Sequence, residues 1–341
     1  MALKLAIYGY DTDIGKLVFE TLEEQAIKVD ELYPLSPLSG EYDAVTLDHQ
    51  NYFVSPIEEF DFSKANVALF LSTQDESQRW INVAREKGCI VIDNSHLFSG
   101  DDKTVTIVPE INDFDVKKAI EQRLVIPALA PSVQLCLALS ALHDEFGVAK
   151  ATVTSLESVS ELGRLGTETL AHETTLLLNG MAAEHQGFPA QLAFNLHTRM
   201  GVLEENGYSD HENAISNEVQ RILGDFERGF EITCIQVPVF YGHTMVVNVD
   251  LEDQATVDEV EKAFEKSQYV ALAPKEDVLS PVADIINERQ VLVTRLRKEK
   301  QGVKSFSFVI MMDNTRRGEA ISCVEIAKLV SNNIPRTLSN F

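Results

Sequence analysis

The chain has 341 residues, 45% of them hydrophobic and 24% charged, which is apolar material enough for two domains of a globular protein. Its 53 acidic residues against 29 basic ones give a net charge of −24, which repels nucleic-acid phosphate and anionic membranes and argues against both as partners. No secretory leader or membrane span is expected: the apolar run Leu5–Tyr8 meets Asp11 and Asp13 almost at once, and Leu124–Leu142 is interrupted by Pro127, Pro131, Ser132 and Gln134.

In chain order, Leu3–Tyr8 reads as a strand, Gly9–Gly15 as a tight turn, and Ile14–Ile27 as a helix with Leu17, Val18, Leu22 and Ala26 at helical spacing. Strands are then expected at Glu31–Pro34, Val67–Leu71 and Cys89–Ile92, with a helix over Glu76–Lys87. Strand alternating with helix implies a doubly wound parallel sheet. Leu124–Leu142 reads as a buried strand followed by a buried helix. Beyond it come a strand at Lys150–Ser158, a helix at Gly163–Asn179, irregular chain at Phe188–Phe194 and a helix at Asn213–Leu223. Glu231–Leu251 is a long β pattern broken only at Gly242, followed by strands at Gln290–Leu296 and Lys304–Met311, so a mixed or antiparallel sheet is expected. Glu319–Ile334 is a last helix, expected to pack back on the first domain. The expected domains are 1–127, 128–315 and a returning C-terminal helix in 316–341.

Cys89, Cys136, Cys234 and Cys323 lie far apart, with no CxxC pair and no histidine at zinc-site spacing. Buried thiols in a reduced, cytoplasmic protein are expected, with neither disulfides nor a metal. The glycine turn has Gly9 and Gly15 in place, but Thr12 holds the middle position, where bare backbone would approach a pyrophosphate, between Asp11 and Asp13. Either NAD or NADP binds there, or the turn serves strand–helix packing alone.

Six strings then fall in order: Val108–Asn112, Ala141–Gly147, Val159–Ser160 with Gly163 and Gly166, Ala193–Asn195, Cys234–Thr244 and Asp313–Gly318. Together they resemble aspartate-semialdehyde dehydrogenase along nearly the whole chain. The resemblance implies a Rossmann-like NAD(P)-binding domain with an α+β dimerisation domain. It also implies NADP-dependent reduction of aspartyl phosphate, or the reverse oxidation with phosphate, through a cysteine thiolate at a helix N-terminus. Carried over position by position, the machinery is missing. Ala130 stands in the nucleophile's place, with Ser132 expected as a helix cap and Cys136 as core. Glu157 replaces a glutamine, Gln236 the substrate arginine, and Ser99 the phosphate arginine. A Glu-x-x-Lys pattern reads His211-Glu212-Asn213-Ala214. On the cofactor side the losses are at Ser36–Ser39 and Leu71–Gln74.

His243 is retained as the acid/base histidine, Asn314 as a residue beside the cofactor, and Arg316 and Arg317 remain with it, where all three can instead tie the last helix to the first domain. This pattern resembles a Usg-type, catalytically degenerate branch of the family. Two readings of different class stay open. One is a non-catalytic protein acting as a homodimer or as partner to a true dehydrogenase. The other is an active NAD(P)-dependent oxidoreductase with altered chemistry, using His243 with Glu157. A sensor of a cationic metabolite, drawn by Glu157, is a third.

Overall fold

The computed structural model describes residues 3–37, 43–99, 101, 103–183, 185, 187–300 and 302–335. The chain divides into two compact units, one running to Ala128 and resuming at Glu319, the other spanning Leu129–Gly318.

The first unit is built from β1 (Lys4–Tyr8), α1 (Asp13–Glu24), β2 (Glu31–Ser36), β3 (Ala44–Leu47), β4 (Gln50–Phe53), β5 (Ser55–Pro56), β6 (Val67–Phe70), α2 (Gln74–Glu86), β7 (Ile90–Asp93), β8 (Val105–Ile107), α3 (Val116–Gln122) and β9 (Leu124–Pro127). Seven strands form a parallel sheet in the order β5-β2-β1-β6-β7-β9-β8, and β3 with β4 makes a separate antiparallel pair. The central strands β6, β7 and β9 are buried along their whole length, as a sheet covered on both faces requires. Strand order reverses at β1, so the turn after β1 lies at the switch point, where doubly wound sheets place ligands.

The second unit is built from α4 (Ala130–Phe146), β10 (Val148–Glu157), α5 (Gly163–Leu178), α6 (Asp210–Leu223), β11 (Phe230–Gln236), β12 (His243–Leu251), α7 (Val257–Lys266), β13 (Val270–Leu272), β14 (Val291–Lys298) and β15 (Ser305–Met312). Its six strands run β11-β10-β12-β15-β14-β13. The sheet is mixed: β10 with β11 and β13 with β14 are parallel, the other pairs antiparallel. The long β pattern therefore does not fold as one hairpin. It breaks over Val237–Gly242, and β10 lies between its halves. The inward residues of β12 (His243, Met245, Val247, Val249, Leu251) are buried and alternate with half-buried ones, the period of a sheet with one covered face.

The first unit also takes in the last helix. After a widened π-type turn over Asn314–Ile321, α8 (Ser322–Asn333) sets Cys323, Val324, Ile326, Ala327 and Val330 into that unit's core. Three of these are large aliphatic side chains, each worth roughly 1.5–3 kcal/mol when fully buried. Asn94 Nδ2 donates to Glu319 Oε2 at 2.9 Å beside it. Among the described residues no helix is long and apolar enough to cross a membrane.

Candidate functional site

Glu157 ends β10 and Gln236 ends β11, paired in parallel register, with Ser155 opposite Cys234 one step earlier on the same face. The start of α6 is fixed over this face by its cap. Ser209 and Glu212 form a capping box, and the second Glu212 oxygen accepts the Cys234 N–H at 2.9 Å. That cap makes His211 the second residue of α6 and brings its Nε2 to 2.8 Å from Glu157 Oε2. The other Glu157 oxygen accepts the Ser155 hydroxyl at 2.8 Å, and the Glu157 side chain is 0% exposed. Burial alone would push the Glu157 carboxyl up. The charge and hydrogen bond of His211, with His243 further off, outweigh it and hold the carboxyl below its usual range. Burial would likewise lower His211, and Glu157 overrides it and raises the imidazole. The two form a buried ion pair.

His243 opens β12. Its Nδ1 accepts the Ser158 N–H at 3.2 Å, which leaves the proton on Nε2 to bond Glu161 Oε2 at 2.8 Å. The hydrogen-bonded carboxylate of His243 is thus Glu161, on the short 3-10 turn after β10, with a Glu157 oxygen within 4.8 Å of the pair. Asn314 Oδ1 accepts the Gly242 N–H at 2.9 Å and the Ser160 hydroxyl at 3.1 Å. This carboxamide oxygen is committed inside the second unit, while Asn314 Nδ2 is buried with no partner among the described residues. Arg316 donates to Asn287 Oδ1 at 3.2 Å, also within the second unit.

Ala130 is the first residue of α4 and is 3% exposed. A Cβ added to Gly318 would lie 2.5 Å from the Ala130 methyl, so glycine is required for the chain to pass this close. Leu129 holds the cap position, and Pro131 follows in the first turn, where its missing N–H costs nothing. Ser132 is the third residue of the helix rather than its cap, a correction to the expectation above. The Leu129 N–H is taken by Glu218 Oε2 of α6 at 2.9 Å. Burial pushes the Glu218 carboxyl up to about 7. All four cysteines are free and buried. Burial raises each thiol, Cys89 to about 12, with Glu218 adding to the rise at Cys136 and Glu157 at Cys234. None is held as a thiolate.

In the first unit, Gly9 has φ +87, and a Cβ there would lie 2.5 Å from the Leu71 carbonyl oxygen, so packing against the end of β6 alone demands glycine. A Cβ at Gly15 would meet Gly9 O at 2.3 Å. Thr12 caps α1: its Oγ accepts the Gly15 N–H at 3.0 Å and donates to Gly9 O at 2.7 Å. It thereby takes a donor that a pyrophosphate would need, and the exposed Asp11 and Asp13 flank it. These residues do not fit a bound dinucleotide diphosphate. Thr73 is the cap residue of α2, Gln74 Nε2 donates to Ser95 O at 3.1 Å, and Ser99 lies in a turn closed on His96. Ser36 ends β2, and Leu38 and Ser39 lie outside the described residues.

The sequence reading named Glu157, Gln236, His243, Ala130 and His211 singly; it did not pair Glu157 with His211, and it missed Glu161 and Glu218. One signal was available. The resemblance replaces a glutamine by Glu157 and a glutamate by His211, a pair of exchanges that makes sense if the two positions touch.

Comparison with known proteins agrees with this architecture. Residues 4–119 match the model of the semialdehyde dehydrogenase NAD-binding domain, and residues 139–317 that of the semialdehyde dehydrogenase dimerisation domain. The chain is 31% identical to aspartate-semialdehyde dehydrogenase 2 of Vibrio cholerae over 326 residues, which covers 96% of this chain and 97% of that one. It is 28% identical to the aspartate-semialdehyde dehydrogenase of Shewanella violacea, covering 96% and 97%. The crystal structure of aspartate semialdehyde dehydrogenase II of Vibrio cholerae superposes with a TM-score of 0.92 at 30% identity, covering 98% of this chain and 100% of that one.

Proposed function

We infer that this chain, which belongs to the aspartate-semialdehyde dehydrogenase family, is a Usg-type member that has given up the family's chemistry and acts by binding, as a homodimer or as partner to an active relative. The observation that carries this is the head of α4. There, at the position the resemblance assigns to the nucleophile, stands the buried methyl of Ala130, with no thiolate anywhere among the four buried cysteines. A covalent acyl intermediate has no atom on which to form. Deleting a nucleophile costs on the order of 10⁶ in rate where it has been measured. The imidazole of His243 is engaged by Ser158 and Glu161, a resting hydrogen-bonded state that serves no neighbouring nucleophile.

The second unit supports the binding role. Its sheet keeps a half-buried row of Thr154, Val246 and Val309 across β10, β12 and β15, facing away from the buried side. Leu165 and Leu178 on α5 are exposed at 55% and 74%. Apolar surface of this kind is what a self-associating sheet presents.

The test is phosphate-dependent oxidation of aspartate semialdehyde with NAD or NADP, run beside an authentic dehydrogenase. No reduced nucleotide above the blank is expected, together with a scattering mass of twice the 38.0 kDa chain. A rate proportional to protein, in material from a host deleted for its own enzyme, overturns the reading and favours altered oxidoreductase chemistry.

A further inference from the structure

We propose that Glu157, His211 and Cys234 form a binding site for one zinc-type divalent cation. The site stands independently of whether the chain turns over the semialdehyde. The Cys234 Sγ, the His211 ring nitrogen and a Glu157 carboxylate oxygen lie within 4.8 Å of one another. Glu157 and Cys234 are fully buried, and the His211 side chain is 15% exposed. The three come from three elements, β10, β11 and the first turn of α6, which explains the absence of any local ligand spacing. The capping box at Ser209 and the Glu212–Cys234 bond hold the helix over the strands, so the frame is set without the ion.

The donor set selects the metal. One thiolate sulfur, one imidazole nitrogen and one carboxylate oxygen suit zinc, whereas magnesium and calcium take oxygen ligands throughout. Zinc bonds of about 2.0–2.3 Å place ligand atoms roughly 3.4 Å apart in a tetrahedron. The His211–Glu157 separation of 2.8 Å must therefore open slightly, a side-chain movement. Three protein ligands leave the fourth position to water.

The charge also balances. Without metal, the buried group holds a carboxylate, an imidazolium and a thiol, for a sum of zero. One dication replaces the proton between His211 and Glu157 and the Cys234 thiol proton, releasing both to solvent, and the sum is again zero. The ion thus adds no net charge to the three ligands, and the Glu212 and Glu161 carboxylates near them favour a cation further. Behind the ligand, Ser155 donates its hydroxyl to the second Glu157 oxygen at 2.8 Å, the outer-sphere bond that orients a metal carboxylate. A second group, Glu157 with Glu161 and His243, shares the same carboxylate but offers no sulfur.

The experiment strips the full chain with chelator, adds cobalt(II) or zinc(II) alone, removes the excess and measures metal per chain. About one equivalent is expected, and the cobalt form should show the near-ultraviolet thiolate-to-cobalt charge-transfer band with the intense visible bands of tetrahedral cobalt. His211→Ala and Cys234→Ser should each weaken binding by at least about tenfold, the lower end of what a mere outer-sphere loss costs. Glu161→Gln should leave it unchanged. Zinc should raise the melting temperature of the parent and of Glu161→Gln only. If a ligand variant fails to fold by circular dichroism, the parent's cobalt spectrum decides. No retained metal on folded parent protein, or bound cobalt without the thiolate band, overturns the assignment. Binding lost in Glu161→Gln but kept in Cys234→Ser also overturns it.

Discussion

Replacing Glu218 by glutamine tests how the head of α4 is held. Glu218 is 6% exposed, one oxygen accepts the Leu129 N–H at 2.9 Å, and the Ser132 hydroxyl beside the carboxyl offsets part of the burial. Burial raises its carboxyl from 4.5 to about 7. A group whose folded pKa is raised contributes stability that is fully present below its unfolded value, here 4.5, and is lost as pH rises through about 7. At about 1.36 kcal/mol per unit, the whole loss is about 3 kcal/mol, of which about 2.5 falls between pH 5 and pH 8. Glu218→Gln keeps an oxygen to accept the Leu129 N–H and has no charge to desolvate. Its stability relative to the parent should therefore rise by about 2.5 kcal/mol over that interval, most of it below pH 7. The assay is urea unfolding at pH 5 and pH 8 followed by far-ultraviolet circular dichroism. The only tryptophan, Trp80, lies on α2 and reports the other unit. A difference between the two proteins that stays constant within about 0.5 kcal/mol, or that shrinks as pH rises, would refute the reasoning.

Ala130→Cys is expected to remain without phosphate-dependent dehydrogenase activity, because Glu157 and Gln236 still stand where the resemblance puts a neutral amide and a cation. Turnover in that single variant would mean that only the nucleophile is missing. In chelator-treated protein, His211→Ala should cost about 3 kcal/mol at neutral pH, since it strands a buried carboxylate. The double variant with Glu157→Gln should recover about 1–3 kcal/mol of the summed losses, and strict additivity in urea melts would count against the ion pair. Millimolar NAD or NADP should leave the melting temperature unmoved. A nucleotide present at 100 times its dissociation constant would add about 2.7 kcal/mol, and a saturable upward shift would show that the turn at Thr12 does admit the diphosphate. Thr12→Ala should destabilise by about 1 kcal/mol through the lost cap of α1, and calorimetry showing no change would remove the packing role assigned to that residue.

The first unit was legible because strands buried on both faces are continuous apolar runs: Val67–Phe70 and Ile90–Asp93 have no polar residue before their last position. The β3–β4 pair and β5 escaped because Ala44–Leu47, Gln50–Phe53 and Ser55–Pro56 are short and mostly exposed or half-buried, and carry no alternation. The helix α7 was missed although Thr256 and Glu259 spell its capping box. Pairing in the second sheet was not readable at all. That β10 inserts between β11 and β12 is set by long-range register, which no local pattern encodes. The site shows the same division. Single residues could be placed by resemblance, but Glu157 meets His211 across 54 positions and His243 meets Glu161 across 82. Neither helical nor strand periodicity relates residues so far apart. The cysteines show it most sharply: counting spacings along the chain argued against a metal, while the fold carries Cys234 to within ligand distance of a histidine and a glutamate.

The exchanges at positions 157 and 211 carry a further argument. The resemblance places a glutamine and a glutamate there, one negative charge between them. The glutamine position lies where the side chain is 0% exposed, so a glutamate set there beside another glutamate would put two carboxylates within hydrogen-bond distance in a low-dielectric interior. One of them would have to take up a proton, at a cost of about 3 kcal/mol at neutral pH for a group that ionises near 4.5 in the unfolded chain. A histidine opposite Glu157 removes that cost by becoming an imidazolium, so Glu157 is tolerable only in the company of His211. The arrangement differs from simple erosion of an unused site, which would leave charges stranded. At Ala130, the position the resemblance assigns to the nucleophile, the methyl packs on Gly318. On the proposed reading the residues exchanged here are ones that catalysis uses, and the Glu157–His211 pair that stands in the site is charge-matched. A stable folded surface is therefore what the chain delivers, and that directs the search for its role toward what the surface and the Glu157–His211–Cys234 cluster bind.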